Sequence, residues 1–180
     1  MNLDSPLIRQ AGLNASYKVW FMSKQWLDRD TFKTIIDTTP LVSIDLLVRN
    51  PQGQILVGKR VNRPAQGFWF VPGGRILKNE RLSEAFSRLT KAELGLELCI
   101  QQARYLGLYE HFYSDSVFGD DVSTHYVVNG FELVLPESHV NLPCEQHNEY
   151  RWLSEEEFKT SDEVHVHSRW YVDPEMGFRA

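Results

Sequence analysis

Cysteine is scarce: only Cys99 and Cys144 occur in 180 residues. They build no metal or redox motif, and two structural thiols suit a reduced, cytoplasmic compartment. No apolar run approaches the roughly 18 residues needed to span a bilayer. The N-terminus lacks a basic stretch followed by an apolar core, so no secretory signal is read. Basic residues are in deficit, with 19 Lys and Arg against 24 Asp and Glu and a net charge of −5. Without a basic stripe a nucleic-acid polymer is not the expected ligand, although a few local arginines can still hold a nucleotide. Repeats and low-complexity tracts are absent. What is present is 42% hydrophobic and 12% aromatic residues, enough for a full-sized core. The length fits one domain.

The most informative stretch is residues 73–96. It opens with Pro72-Gly73-Gly74, a turn signal directly after an apolar run. A helical pattern follows and ends at Gly95, a natural C-cap. At about 100° per residue, Leu82, Phe86 and Leu89 share one stripe, with Ala85 beside it. Glu93 falls in the middle of that stripe. A carboxylate there must desolvate, and it sits where the macrodipole disfavours an anion. Both objections vanish if Glu93 holds a divalent cation. The alternative is a helix that ends early, leaving Glu93 as a solvated last-turn residue.

Residues 23–37 read as an amphipathic helix with Trp26, Phe32, Ile35 and Ile36 as apolar candidates. Residues 41–48 alternate as a strand, with Val42, Ile44, Leu46 and Val48 on one face and Ser43 and Asp45 on the other. Asn50-Pro51-Gln52-Gly53 is a turn, and residues 55–57 return, so a hairpin is expected. Asp45 needs a partner, because a lone buried carboxylate is costly. Arg60, Arg63 and Arg75 surround the glycine turn and suit a diphosphate, since guanidinium groups grip phosphate oxygens in pairs. Residues 105–113 and 124–134 read as strands joined by a mobile polar loop, 114–123, whose aspartates lack EF-hand spacing. Residues 145–148 are a polar loop before a strand at 150–153. Ser154 caps a short helix. Residues 164–171 are ambiguous between helix and strand, and 173–180 read as a frayed tail. His165 and His167 alternate on one face, a spacing that suits metal but has no other support. These patterns define a single α/β or α+β domain.

Residues 74–96 resemble the signature of the Nudix hydrolases, with Gly74, Glu80, Arg88, Glu93, Gly95 and Leu96 in register. Leu89 and Ala92 stand where the family has two of its glutamates, and Thr90 stands at an aliphatic position. The reduced box is similar to that of the GDP-mannose mannosyl hydrolase branch. So are the segments GKRVNRPAQGFWFVPGGR, THYVV and EQHNEYRWL. The resemblance runs from about residue 26 to about 168, and it implies a Nudix α/β/α fold with a mixed sheet between helices over residues 22–180. Residues 1–21 lie outside it. They read either as an added leader, with Met22 as a sensible native start, or as a true extension.

The resemblance implies Mg²⁺-dependent hydrolysis of GDP-mannose, or of GDP-glucose, to GDP and free sugar. Mn²⁺ is an alternative ion, with one metal per subunit of a homodimer. Metal ligands are then the Gly73 carbonyl, Glu93 and Gln146, oxygen donors that suit either ion. His147 is the general base. Asp45 and Arg60 stand at the sugar and phosphate, Arg75 against the departing GDP, and His111 and Tyr126 at further active-site positions. Trp26, Leu27 and Phe32 are implied to touch the guanine nucleotide. Arg88 is expected in a structural ion pair. Two alternatives are a Nudix nucleotide-sugar pyrophosphohydrolase, with Asp115, Asp120 or Asp121 replacing the lost carboxylates, and an inactive nucleotide-sugar sensor.

Overall fold

A computed structural model describes residues 27–136, 142 and 147–178, with only the backbone of His147 and Asn148. Helix α1 (Arg29–Thr38) is followed by strands β1 (Leu41–Arg49), β2 (Ile55–Arg60), β3 (Trp69–Phe70) and β4 (Gly73–Arg75). Helix α2 (Leu82–Leu94) comes next, then a 3₁₀ turn (Ile100–Gln102) and strands β5 (Arg104–Tyr113), β6 (Thr124–Val134) and β7 (His147–Leu153). Two short helices, α3 (Glu155–Thr160) and α4 (Val166–Arg169), lead into a last 3₁₀ turn (Trp170–Val172).

Among the described residues these strands form one seven-stranded mixed sheet. Strand β1 runs parallel to β6 along its whole length and antiparallel to β4 over Ser43–Asp45. The expected hairpin is realised only at its base. Arg49 pairs with Ile55, and then the strands diverge, β1 toward β4 and β2 toward β7. That split opens the sheet beside the glycine turn.

Both faces are covered. Helix α2 lays Ala85, Phe86, Leu89 and Leu94 against Ile44, Leu46, Val48, Phe131 and Leu133. It stops where Gly95 takes the left-handed conformation, φ 71°, which closes the last carbonyls without a Cβ penalty. The opposite face packs Leu47, Val57, Phe70 and Val128 against Phe158, Val164 and Tyr171 of the C-terminal segment. A third cluster joins Phe32 and Ile36 of α1 to Leu41 and Val122.

Three expectations change here. Loop 114–123 is tied down: Ser116 and Gly119 bridge, the Thr124 hydroxyl donates to the Asp115 carbonyl, and Val122 is buried. Residues 173–178 are docked, because Phe178 exchanges two backbone bonds with Leu108 of β5, at 2.7 and 2.9 Å. Strand β7 begins at His147 rather than after a loop ending at Asn148. No described helix is long and apolar enough to cross a membrane.

Candidate active site

Sheet register brings the candidate residues together. On β1, period-two alternation turns Ser43 and Asp45 away from the α2 core. Gly73 pairs with Asp45, Tyr126 with Leu41, and His111 with Tyr126. Asp45, Arg60, Gly73, Arg75, His111 and Tyr126 thus line one cleft, with Ser43, Phe70 and Tyr113.

Asp45 is buried and its Oδ2 accepts a 2.7 Å hydrogen bond from the Tyr171 hydroxyl. Burial raises its pKa to about 6, against the opposing pull of that bond and of Arg60. Tyr171 is held far above its ordinary value, by burial first and then by the Asp45 charge, so it keeps its proton. The Tyr171 oxygen also lies 3.3 Å from His111 Nε2. The His111 ring stacks on His167 at 4.3 Å. Burial, with His167 and His165 nearby, lowers His111 to about 2, so it is neutral at physiological pH. That rules it out as the group that titrates near neutrality and suits it to a fixed hydrogen-bonding role.

Of the three arginines expected at a diphosphate, two line the cleft. The Arg60 guanidinium lies 5.4 Å from the Phe70 ring centre, and its buried Nε has no hydrogen bond among the described residues. The Arg75 guanidinium lies 4.5 Å from the Phe32 ring centre. Arg63 is instead consumed by ion pairs with Asp120 and Asp115 that join its loop to loop 114–123. Phe32 is 4% exposed and packs edge-on against Phe118, so it acts on the cleft through Arg75 rather than as an open stacking platform. Leu27 packs against the same cluster, and Trp26 lies outside the described residues.

Glu93 is 2% exposed on the inner face of α2, so the solvated alternative fails. A Cβ on Gly73 would sit 2.5 Å from the Ile44 carbonyl and 2.6 Å from Asp45 Oδ1, so only glycine fits this close approach. Leu89 is buried, and its Cδ2 would lie 2.7 Å from a Cβ on Gly74. Apolar packing therefore fills the position of one missing glutamate, while Ala92, at the other, is exposed. Arg88 bonds both Glu80 oxygens at 2.6 and 2.8 Å and the Arg75 carbonyl at 2.8 Å. Glu80 in turn caps the Leu77 amide. This clamp braces the end of β4, which carries Arg75, as expected of a structural pair.

Among the described residues no group of three or more His, Cys, Asp or Glu side chains could hold a metal ion. Asp115 and Asp120 of loop 114–123 are held in ion pairs with Arg63, and the rings of His165 and His167 pack against Phe70, His111 and Tyr113. Gln146 lies outside the described residues. The backbone of His147 pairs with that of Arg60, itself a cleft residue.

Tyr171 escaped sequence reasoning, and His167 was read only as one of an alternating pair. The alternation of His165 and His167 was visible, but their partner His111 lies on a strand more than fifty residues away.

The NUDIX domain family matches residues 39–173. The chain is 39% identical over 122 residues, 68% of itself and 76% of the relative, to the low-salt glycan biosynthesis protein Agl8 of Haloferax volcanii. Its fold is similar to the MutT protein of Methanosarcina mazei Go1, with TM-score 0.60, 22% identity, and coverage of 74% of this chain and 91% of that one. It is also similar to the NUDIX domain of Shewanella oneidensis NrtR, solved with ADP ribose, with TM-score 0.54, 15% identity, and coverage of 78% and 92%. The class defined by fold and box is that of the Nudix hydrolases, and this chain belongs to the family. Nudix enzymes generally use divalent metals such as Mg²⁺ or Mn²⁺.

Proposed function

We propose that the chain hydrolyses a GDP-sugar, GDP-mannose or GDP-glucose, at the anomeric carbon, giving GDP and free sugar with inversion. One observation carries the reading. The position of a family glutamate is sealed by Leu89 against Gly74, while two aromatic-backed arginines and the buried Asp45 remain in the cleft. A box that has lost two of its carboxylates, at Leu89 and Ala92, is poorly suited to activating water on phosphorus. The cleft is suited to stabilising a departing diphosphate. The glycan-biosynthesis name of the Haloferax volcanii relative supports a sugar-bearing substrate.

The donor set fits one hard cation. The buried Glu93 supplies a carboxylate, the Gly73 carbonyl stands where no Cβ intrudes, and Gln146 would add an amide oxygen. A bound Mg²⁺ or Mn²⁺ would supply positive charge against the diphosphate. Arg60 and Arg75 add paired N–H donors to the same oxygens. Tyr126 lines the same cleft. His147 takes a proton from water as the water oxygen bonds to the anomeric carbon. The carbon–oxygen bond to GDP breaks on the opposite face, and GDP leaves with the electron pair. Asp45 holds the sugar or orients the base from its fixed seat. The guanine contacts fall to Trp26 and Leu27, with Phe32 behind Arg75.

Reaction in H₂¹⁸O tests the bond assignment. The label is expected on the sugar, and an α-linked substrate should give the β-anomer before mutarotation. His147→Gln should lower turnover by about 10²–10⁴-fold and leave metal affinity nearly unchanged. Label on a phosphate, with GMP as product, would overturn the reading in favour of a pyrophosphohydrolase. No turnover with either metal would mark a binding protein.

A further inference from the structure

We propose that Tyr171 is a positioning residue of the cleft: its single hydroxyl proton anchors the Asp45 carboxylate and thereby decides which nitrogen of His111 carries a proton. The hydrogen-bond chain stands on geometry alone. Its consequence for turnover rests on the proposed function.

The Tyr171 oxygen lies 2.7 Å from Asp45 Oδ2 and 3.3 Å from His111 Nε2. All three residues are buried, at 3%, 8% and 2% exposure. A phenol has one hydrogen to donate, and a carboxylate can only accept. The proton therefore points to Asp45. The second contact then requires the Tyr171 oxygen to accept, so His111 Nε2 must carry the hydrogen. A neutral imidazole has one N–H, which leaves His111 Nδ1 as a bare acceptor. Groups from β1, β5 and the C-terminal 3₁₀ turn thus share one hydrogen-bond polarity.

The fold builds a seat for this tyrosine. Gly130 on β6 stands across from Asp45, and a Cβ there would lie 3.1 Å from Tyr171 Cε1 and 2.9 Å from Tyr109 Cε2. The Tyr171 ring meets Tyr109 edge-on at 4.7 Å. Beyond the turn, Phe178 pins the segment to Leu108, and Gly177 passes against the Tyr109 ring. The same segment is tied to the glycine turn, where the Val71 amide donates to the Ser168 hydroxyl at 3.2 Å. With Oδ2 anchored, Oδ1 is left beside Gly73 at the cleft. Carboxylate torsions are broad, so without the hydroxyl this orientation is no longer set.

The test is Tyr171→Phe, which keeps the ring and removes the bond. Long-range ¹⁵N–¹H spectra at pH 8, with His111 assigned through His111→Gln, should show the Nε2–H tautomer in the wild type and a mixture of tautomers in Tyr171→Phe. With GDP-mannose, kcat should fall by about 10²-fold, the scale of a misplaced catalytic group, while KM changes little. Tyr105→Phe removes a hydroxyl from the other face of β5, near Asn129, and should retain wild-type rates. An Nδ1–H tautomer in the wild type would overturn the proposal whether or not the variant folds. So would a Tyr171→Phe protein with the wild-type tautomer and kcat. A wild type inert toward GDP-sugars that still shows the Nε2–H form, lost in Tyr171→Phe, would defeat the proposed function and uphold the Tyr171 chain.

Discussion

Asp45→Asn should make the metal-free protein more stable at neutral pH while abolishing its activity. Burial holds Asp45 at about 6, against an ordinary 3.8. One pKa unit is worth about 1.4 kcal/mol, so keeping the ionised form folded above pH 6 costs on the order of 3 kcal/mol. The groups acting on the Asp45 charge are Tyr171 and Arg60, and their pull is already contained in that value. Because the folded pKa is the higher one, the folded state binds the proton more tightly. The wild type is therefore favoured below pH about 4, loses stability as pH rises from about 4 to 6, and is level above that. Asparagine is neutral throughout, has nearly the same volume, and retains an acceptor for Tyr171. The stability gap between variant and wild type should be small at pH 4 and approach ~3 kcal/mol at pH 7.5, or about 6–12 °C in Tm for a chain of this size. Urea unfolding followed by tryptophan fluorescence, in EDTA at both pH values, measures it. A variant less stable than wild type at pH 7.5, or a gap that does not vary with pH, would refute the reasoning.

Glu93→Gln should greatly weaken Mg²⁺ and Mn²⁺ binding by titration calorimetry and depress turnover, with the fold intact by circular dichroism. Unchanged metal-dependent turnover would remove Glu93 from the site. Gly73→Ala drives a methyl to within 2.6 Å of Asp45 Oδ1 and 2.5 Å of the Ile44 carbonyl, so β4 must shift. A loss of about 1–3 kcal/mol is expected from denaturant curves, with activity falling further than stability. The resemblance to the GDP-mannose branch also predicts a homodimer, checked by light scattering at micromolar concentration, where a pure monomer would contradict it.

Much of this protein is written locally. The 3.6-residue stripe over α2 and the Gly95 stop depend on neighbours three or four residues away and were legible in order, whereas the choice between a buried and a solvated Glu93 was settled by packing. The alternation that sends Asp45 to one face and Ile44 to the other was equally plain, as was the cap at Ser154. The reduced box showed in the residue types themselves. What the sequence could not determine is which distant groups meet. Asp45 visibly needed a partner, but that partner is 126 positions away on a segment with no clear periodicity. Arg63 and Arg75 looked equivalent in the chain. Loop packing gave one to Asp120, and α1 set the other over Phe32. The frayed tail became a strap because β5 offered it an open backbone edge at Leu108. Periodicity reports which face a side chain takes. Only tertiary closure reports what waits on that face, and here it supplied the tyrosine that holds the buried carboxylate.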